Sequence, residues 1–587
     1  MDKSRFEQEA EAIAEKVSLF DGEGKKKSQA TVLVDLCAEL ELFHDADSDC
    51  YAIIQKPTHR EVWPIQSRAF KNWLSHKYFA MTGQGARGAA VLDALATVEA
   101  RAQHQSSQRE VFQRVAWMNN RIVIDLADEA WRVVEIDETG WRVLNQSPVM
   151  FTRRSGMAPL PAPVQGVLSD IGQFINVEPG SVPLVIGWLL MAARGRGPYP
   201  ALVFNGEQGT GKSTTTRVLR SCIDPSTVPL RGMTRDVRDL LVTATNNHVI
   251  VVDNLSGLSA ELSDVFCRFS TGGGFAERKL YSNREEVLVN IQRPIILNGI
   301  DEVASRGDLM ERSLIIHLPI IKETSREPES AFWRRFDAAL PGIIGGLCDA
   351  LSCAIKNQHT VKLERKPRMA DFALWVTAAE PALGWKPGAF MESYTANLDA
   401  GVEVALEASP FAEVLLKYMT KRVTWTGTAT DLLNELENVA HERATRSPSW
   451  PKSGKGAASA LRRTAPLFRR MGITITQNTR EAHTGRRLVV VEVAKSASPS
   501  SPDGRTTPEA NNGEAFQGDA NIQTIVTQPS PVSHRPSPGA FESLVSHPSV
   551  TPNPSTGKAC DDGDDGDAKN RGLTTPAVDT HPAEVEF

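Results

Sequence analysis

The seven cysteines, at 37, 50, 222, 267, 348, 353 and 560, form no C-x-x-C pair. That spacing excludes a zinc ribbon and a disulfide framework, and it fits a reducing cytoplasm. Long apolar runs are also scarce. The most apolar helical stretch, 182–193, is too short to cross a bilayer and contains Pro183. The N-terminus, MDKSRFEQEAEAIAEK, is charged where a signal peptide would carry its apolar core. No membrane partner is expected. Net charge is small: −6 over 587 residues neither demands nor forbids nucleic acid. Charge must therefore be read region by region.

What is present divides the chain into six stretches. Residues 1–110 read as an α+β unit, with helical spacing over 69–78 and 91–103. Residues 111–164 alternate apolar and polar positions over 114–144. That pattern predicts a three-stranded antiparallel meander, followed by a linker at Pro159, Pro161 and Pro163. Over 165–325, helical spacing alternates with short apolar runs at 201–205, 249–252 and 295–297, which suits a parallel sheet covered on both faces. Residues 326–410 look helical. In 411–495, helices over 428–440 and 457–471 precede strands at 473–476 and 487–493, the order of a winged helix. Pro466 should kink or split the second helix. The tail, 496–587, holds 12 of the 35 prolines, no tryptophan and the run DDGDDGD. Its burial cannot offset chain entropy, which predicts disorder.

The strongest motif is ALVFNGEQGTGKSTTTRVL, an apolar strand, a Gly-rich loop and a helix. Gly206, Gly211, Lys212 and Ser213 complete G-x-x-x-x-G-K-[ST], with Glu207, Gln208, Gly209 and Thr210 inside it and Thr214 following. The glycines let backbone N–H groups turn around phosphates, and the helix N-terminus adds positive potential. ATP is the expected ligand, with Lys212 on the β/γ-phosphates and the Ser213 hydroxyl on Mg²⁺. Asp253 ends the apolar run HVIVVDN and can hold the same ion through water. Asn298, at the end of PIILNG, can orient the attacking water. Arg312, before the apolar run 313–318, can reach a neighbouring subunit's γ-phosphate, and Arg306 is a second candidate.

This order of motifs resembles superfamily 3 helicases of the AAA+ class, most closely the ATPase part of phage and plasmid primase-helicases. The residues carrying it are GEQGTGKS (206–213), VIVVDN (249–254), TGGGFAERKLYSN (271–283), PIILNG (294–299) and DLMER (308–312). The resemblance covers 165–325. The stretch 111–163 looks like the region leading into that ATPase, and no primase active site is recognisable in 1–110. The fold class implied is α/β: a P-loop AAA+ core between an N-terminal α+β domain and a winged-helix-like domain with a disordered tail. The resemblance also implies a pore hairpin in which Arg278 and Lys279 grip the DNA backbone. One departure stands out. The family carries a second acidic residue where this chain has Asn254. Asn cannot take a proton, so Asp253 or another carboxylate serves as base, or hydrolysis is slow.

Over 411–495, fifteen Lys or Arg face seven Asp or Glu. Arg462, Arg463, Arg469 and Arg470 lie on the second helix, and Arg486 and Arg487 at the ribbon, an electrostatic footprint for duplex or forked DNA. The function expected is a DNA helicase or translocase of a phage, plasmid or integrative element. Its partners would be DNA, further copies of itself in a ring, a hexamer by the resemblance, and a separate primase or host replication proteins. The alternative is a DNA-bound ATP-dependent switch or assembly factor that does not unwind.

Overall fold

The computed structural model describes residues 16–493 apart from 235, 279–285, 301–305, 408 and 481–485. The expectation of a disordered tail falls on residues outside this range.

The N-terminal unit is a three-stranded antiparallel sheet (Glu41–His44, Cys50–Gln55, Arg60–Pro64) covered by helices Gln29–Asp35, Arg68–Thr82 and Gly88–Gln105. Apolar positions at Phe70, Leu74, Val91, Leu95 and Val98 close its core, as the helical spacing requires.

The meander has four strands rather than the expected three: Val115–Met118, Arg121–Asp125, Val133–Asp137 and Gly140–Leu144. The unforeseen break lies at 126–132, LADEAWR, which carries no Gly, Pro or Asn to mark a turn. Ala127 and Trp131 adopt left-handed φ there, and Asp125 Oδ1 accepts the Ala127 N–H at 2.9 Å. A side chain thus replaces the ladder bond that pattern alone assigns to a strand.

Residues 182–317 build a four-stranded parallel sheet. Its spatial order is Ile250–Leu255, Ile295–Gly299, Ala201–Asn205, Ser313–His317. All four run the same way, so their carboxyl ends share one rim. Short apolar strands of this kind need cover on both faces. Lys212–Ser221, Val237–Asn246 and Ala260–Thr271 are the helices between them. The first strand is wholly buried, with Leu202 and Phe204 in one apolar cluster and Ala201 and Val203 in another.

Buried ions join the meander to this sheet. Arg114, 0% exposed, donates Nε to Asp224 Oδ1 at 3.1 Å and further N–H groups to the carbonyls of Asp125 and Ala158. The other Asp224 oxygen accepts the backbone N–H groups of His248 and Val249, each at 3.0 Å.

Helix Glu329–Asn357 follows. It is long and apolar enough to cross a membrane by length and composition, yet Phe336, Ile343, Leu347, Leu351 and Ile355 are buried in the main core of the protein. That burial is what a core helix shows.

The C-terminal unit runs helix Pro410–Met419, strand Thr424–Gly427, helix Ala429–Val439, short helix Glu442–Thr445, helix Gly454–Arg470, then strands Ile473–Arg480 and Arg487–Val493. The ribbon is a three-stranded sheet, because Thr424–Gly427 pairs with the last strand. Helix Gly454–Arg470 continues through Pro466 without a break. Leu461 and Phe468 are buried on either side of the proline and hold it by packing.

Candidate active site

Parallel sheets present their ligands at the carboxyl ends of the strands. Three of the motifs meet there. Strand Ala201–Asn205 leads into the glycine-rich loop, and the loop into helix Lys212–Ser221. Gly206 has φ +156°, and a Cβ on it would lie 2.9 Å from Thr210 Oγ1 and 3.1 Å from the Leu318 carbonyl oxygen. Gly211 has φ +78° just before the helix, with Ile321 3.2 Å from where a Cβ would stand. Both positions demand glycine on backbone and space together.

Within this loop Glu207, Gln208 and Gly209 are exposed, Thr210 is buried, and Thr214 lies half-buried in the first turn of the helix. Thr210 Oγ1 donates to the Glu207 carbonyl at 3.0 Å and closes the loop on itself. Lys212 Nζ donates to the carbonyls of Gly206 at 2.7 Å and Glu207 at 2.8 Å. Burial holds the Lys212 ammonium below its usual range, opposed by the charge of Asp253. A multiply charged anion would satisfy this ammonium better than two carbonyls do.

Asp253 sits where strand Ile250–Leu255 slips register against its neighbour, between Val252 and Leu255. Its N–H donates to the Arg231 carbonyl at 2.8 Å. The slip breaks the pleat and sets the carboxylate over the helix N-terminus. Ser213 Oγ donates to Asp253 at 3.0 and 3.2 Å. Asn254, next in the slip, has φ +59° and an exposed side chain. Asparagine is among the few side chains that accept this left-handed backbone readily.

Asn298, fully buried, donates Nδ2 to Asp253 Oδ1 at 2.7 Å, and its Oδ1 accepts from Thr216 Oγ1 at 2.9 Å. In this state the amide holds the carboxylate. Ser213, Thr216, Asp253 and Asn298 thus form one continuous network. Two residues of this architecture escape motif reading. Thr216 lies one turn after Ser213, a spacing that could have found it. Asn176 has no sequence signal; its Nδ2 bonds the carbonyls of Thr210 at 2.9 Å and Pro319 at 2.6 Å and braces the loop from outside the motif.

The donor set suits Mg²⁺. One hydroxyl and one carboxylate lie within 3.2 Å of each other beside the glycine-rich loop. Mg²⁺ commonly takes so few protein ligands, filling its octahedron with water and substrate phosphates.

Arg312 lies elsewhere. Ser313 pairs with Ala201 and His317 with Asn205, so Arg312 sits at the amino rim. Strand rise puts it roughly 13 Å or more from its own glycine-rich loop, beyond the span of an arginine side chain. Arg306 lies in the same segment, 3.5 Å from Asp264.

The expected DNA contacts are scattered. A hairpin pairs Gly274–Arg278 with Glu286–Asn290, placing Arg278 at the outer end of its strand; Lys279 lies outside the described residues. Arg462, Arg463 and Arg469 are exposed on helix Gly454–Arg470. Arg470 turns to Asp399 at 3.8 Å. Arg486 and Arg487 are exposed at the start of the last strand.

Similarity to known proteins agrees with this division. Residues 167–404 match the family described as actinomycete integrative conjugative element replication protein, and residues 411–507 match the C-terminal domain of the same RepA family. No curated protein sequence matches. Among solved structures, the apo NrS-1 C-terminal region is 14% identical, with 79% of this chain and 98% of that one covered, at a TM-score of 0.35. A JCV helicase structure is 15% identical, covering 40% of this chain and 64% of that one, at a TM-score of 0.21. Both likenesses are distant and say nothing of activity here. The two family matches adjoin and cover both the parallel sheet and the basic C-terminal unit; over these residues the chain is similar to the replication proteins of actinomycete integrative conjugative elements.

Proposed function

We propose that this chain is an ATP-dependent DNA helicase or translocase of the superfamily 3 AAA+ type, working as a homohexameric ring in replication of its element. The observation that carries the reading is the convergence of Lys212, Ser213, Asp253 and Asn298 on one sheet rim. In this reading the triphosphate draws Lys212 off the loop carbonyls and lies against the loop amides and the helix N-terminus. Ser213 and Asp253 would hold Mg²⁺, which would supply charge neutralisation for the phosphates. Asn298 keeps the Asp253 carboxylate in place. Arg312 serves the neighbouring subunit's nucleotide, since its own is out of reach. The hairpin at 274–290 and the arginines of the C-terminal winged-helix-like unit contact DNA backbone, with a separate primase or host replication proteins completing the machinery.

The test is strand displacement on forked DNA with ATP and Mg²⁺, wild type against Lys212→Ala. Unwinding by the wild type alone supports the reading. A second reading, a DNA-bound ATP-dependent switch that does not unwind, is favoured by Asn254, which cannot accept a proton where the family has an acid. DNA-stimulated ATP turnover without displacement would select it.

A further inference from the structure

The following rests on Arg312 acting in trans. In the structure Arg312 does not point outward. Its Nη1 donates to the Asp308 carbonyl at 2.9 Å, and its guanidinium pairs with the Asp308 carboxylate one helical turn back. The side chain is 16% exposed, and Nε is buried with no hydrogen-bond partner among the described residues. An arginine held this way must leave Asp308 before it can meet a neighbour's triphosphate. Leaving would take one cation from Asp308, 51% exposed, beside a second carboxylate, Glu311, in the same short segment.

A replacement cation already stands there. Arg368 Nη2 donates to the same Asp308 Oδ1 at 2.8 Å, and its Nη1 pairs with Glu311. Arg368 belongs to none of the motifs. It lies between helices Glu329–Asn357 and Ala370–Leu383, sixty residues downstream of Asp308. Asp308 is thus shared by two arginines: one local and needed elsewhere, the other from a distant segment and fixed by two carboxylates. The fork of a guanidinium can hold two anions at once, which a lysine cannot do with equal geometry.

We propose that Arg368 is a positioning residue for Arg312: it keeps Asp308 compensated while Arg312 swings out to the adjacent subunit's γ-phosphate. Arg368 touches no nucleotide. It lowers the cost of releasing the residue that does.

Mixed rings test this directly. Acceptor subunits carry Arg312→Ala and keep an intact ATP site; donor subunits carry Lys212→Ala and keep Arg312. Mixing the two should restore ATP hydrolysis at acceptor sites. Adding Arg368→Ala to the donor should lower the recovered kcat about tenfold, because Asp308 then retains Arg312. KM for ATP should stay unchanged, since every working site belongs to the acceptor. Adding Asp308→Asn to that donor removes the retaining charge and should bring kcat back. Arg368→Lys, which keeps the cation and loses the fork, should fall between and keeps the test open should the alanine variant not fold. Ring assembly by light scattering and melting temperature check the donors. Donors with Arg368→Ala that complement fully, or a well-folded Asp308→Asn, Arg368→Ala donor that restores nothing, would overturn the proposal. If Lys212→Ala donors alone restored nothing, the trans reading would fall first and this one with it.

Discussion

The two rims of one parallel sheet are built in opposite ways. At the carboxyl rim, Ser213 and Asn298 both bond Asp253, and Lys212 bonds the loop carbonyls beside them. At the amino rim, Arg312 is paired with its own Asp308 and faces no anionic ligand site of its own subunit. The first gathers four polar side chains; the second pairs one arginine with a carboxylate four residues back. A strand length separates them, so a single subunit cannot bring them together.

The largest expected effect lies at the carboxyl rim. Lys212→Ala should abolish retention of labelled ATP in the presence of magnesium, and hydrolysis with it. Retention at wild-type level would remove the basis for treating this rim as a nucleotide site. Next comes the amino rim. Arg312→Ala should leave ATP affinity intact and lower kcat by about 10³-fold, the scale of a lost arginine finger. A normal turnover rate would erase the distinction between the two rims. Smaller again is Asn298→Ala, which releases Asp253 Oδ1 without removing a ligand. Orienting groups of this kind contribute roughly 10–100-fold to metal affinity. A Mg²⁺ titration of ATP hydrolysis should shift by that factor, and an unshifted curve would sever Asn298 from the metal.

The smallest is a pH effect at the amino rim. His248 is fully buried, and burial pushes its imidazole down from 6.5 to about 4, against the opposing pull of Asp224 and a hydrogen bond with the Ala192 carbonyl at 2.8 Å. The unfolded chain therefore binds a proton between these values that the folded chain refuses. This part of the stability is complete above pH 6.5 and lost as pH falls toward 4, about 3 kcal/mol in all. The melting temperature should drop from pH 7 to pH 5, and His248→Gln should flatten that slope. An equal slope in the variant would locate the titration elsewhere.

What could be read in advance follows from the physics of each feature. A glycine-rich turn between strand and helix restricts residue types over consecutive positions, so the loop 206–211 was legible, as were strand Ala201–Asn205 and helix Lys212–Ser221 on either side of it. Asp253 was legible as the end of an apolar run. Its approach to Ser213 depends on a register slip that no local pattern announces. Asn176 and Arg368 act through hydrogen bonds to residues more than thirty positions away and leave no periodic trace. The fourth meander strand hid behind a turn made by the Asp125 side chain. Strand Thr424–Gly427 is too short for alternation to register. Pro466 misled because helix propensity is a weak prior once both faces are packed.

Met310, one turn from Arg306, is 5% exposed and belongs to the apolar core of the C-terminal unit with Phe411, Leu415 and Leu461. Gly307 lies against the Arg463 carbonyl, and Asn397 holds both backbone groups of Ile315. The basic helix and the segment bearing Arg312 are therefore one piece of machinery. A chain cut before residue 410 would lose more than its basic helix; it would lose the apolar wall against which the Arg312 segment packs.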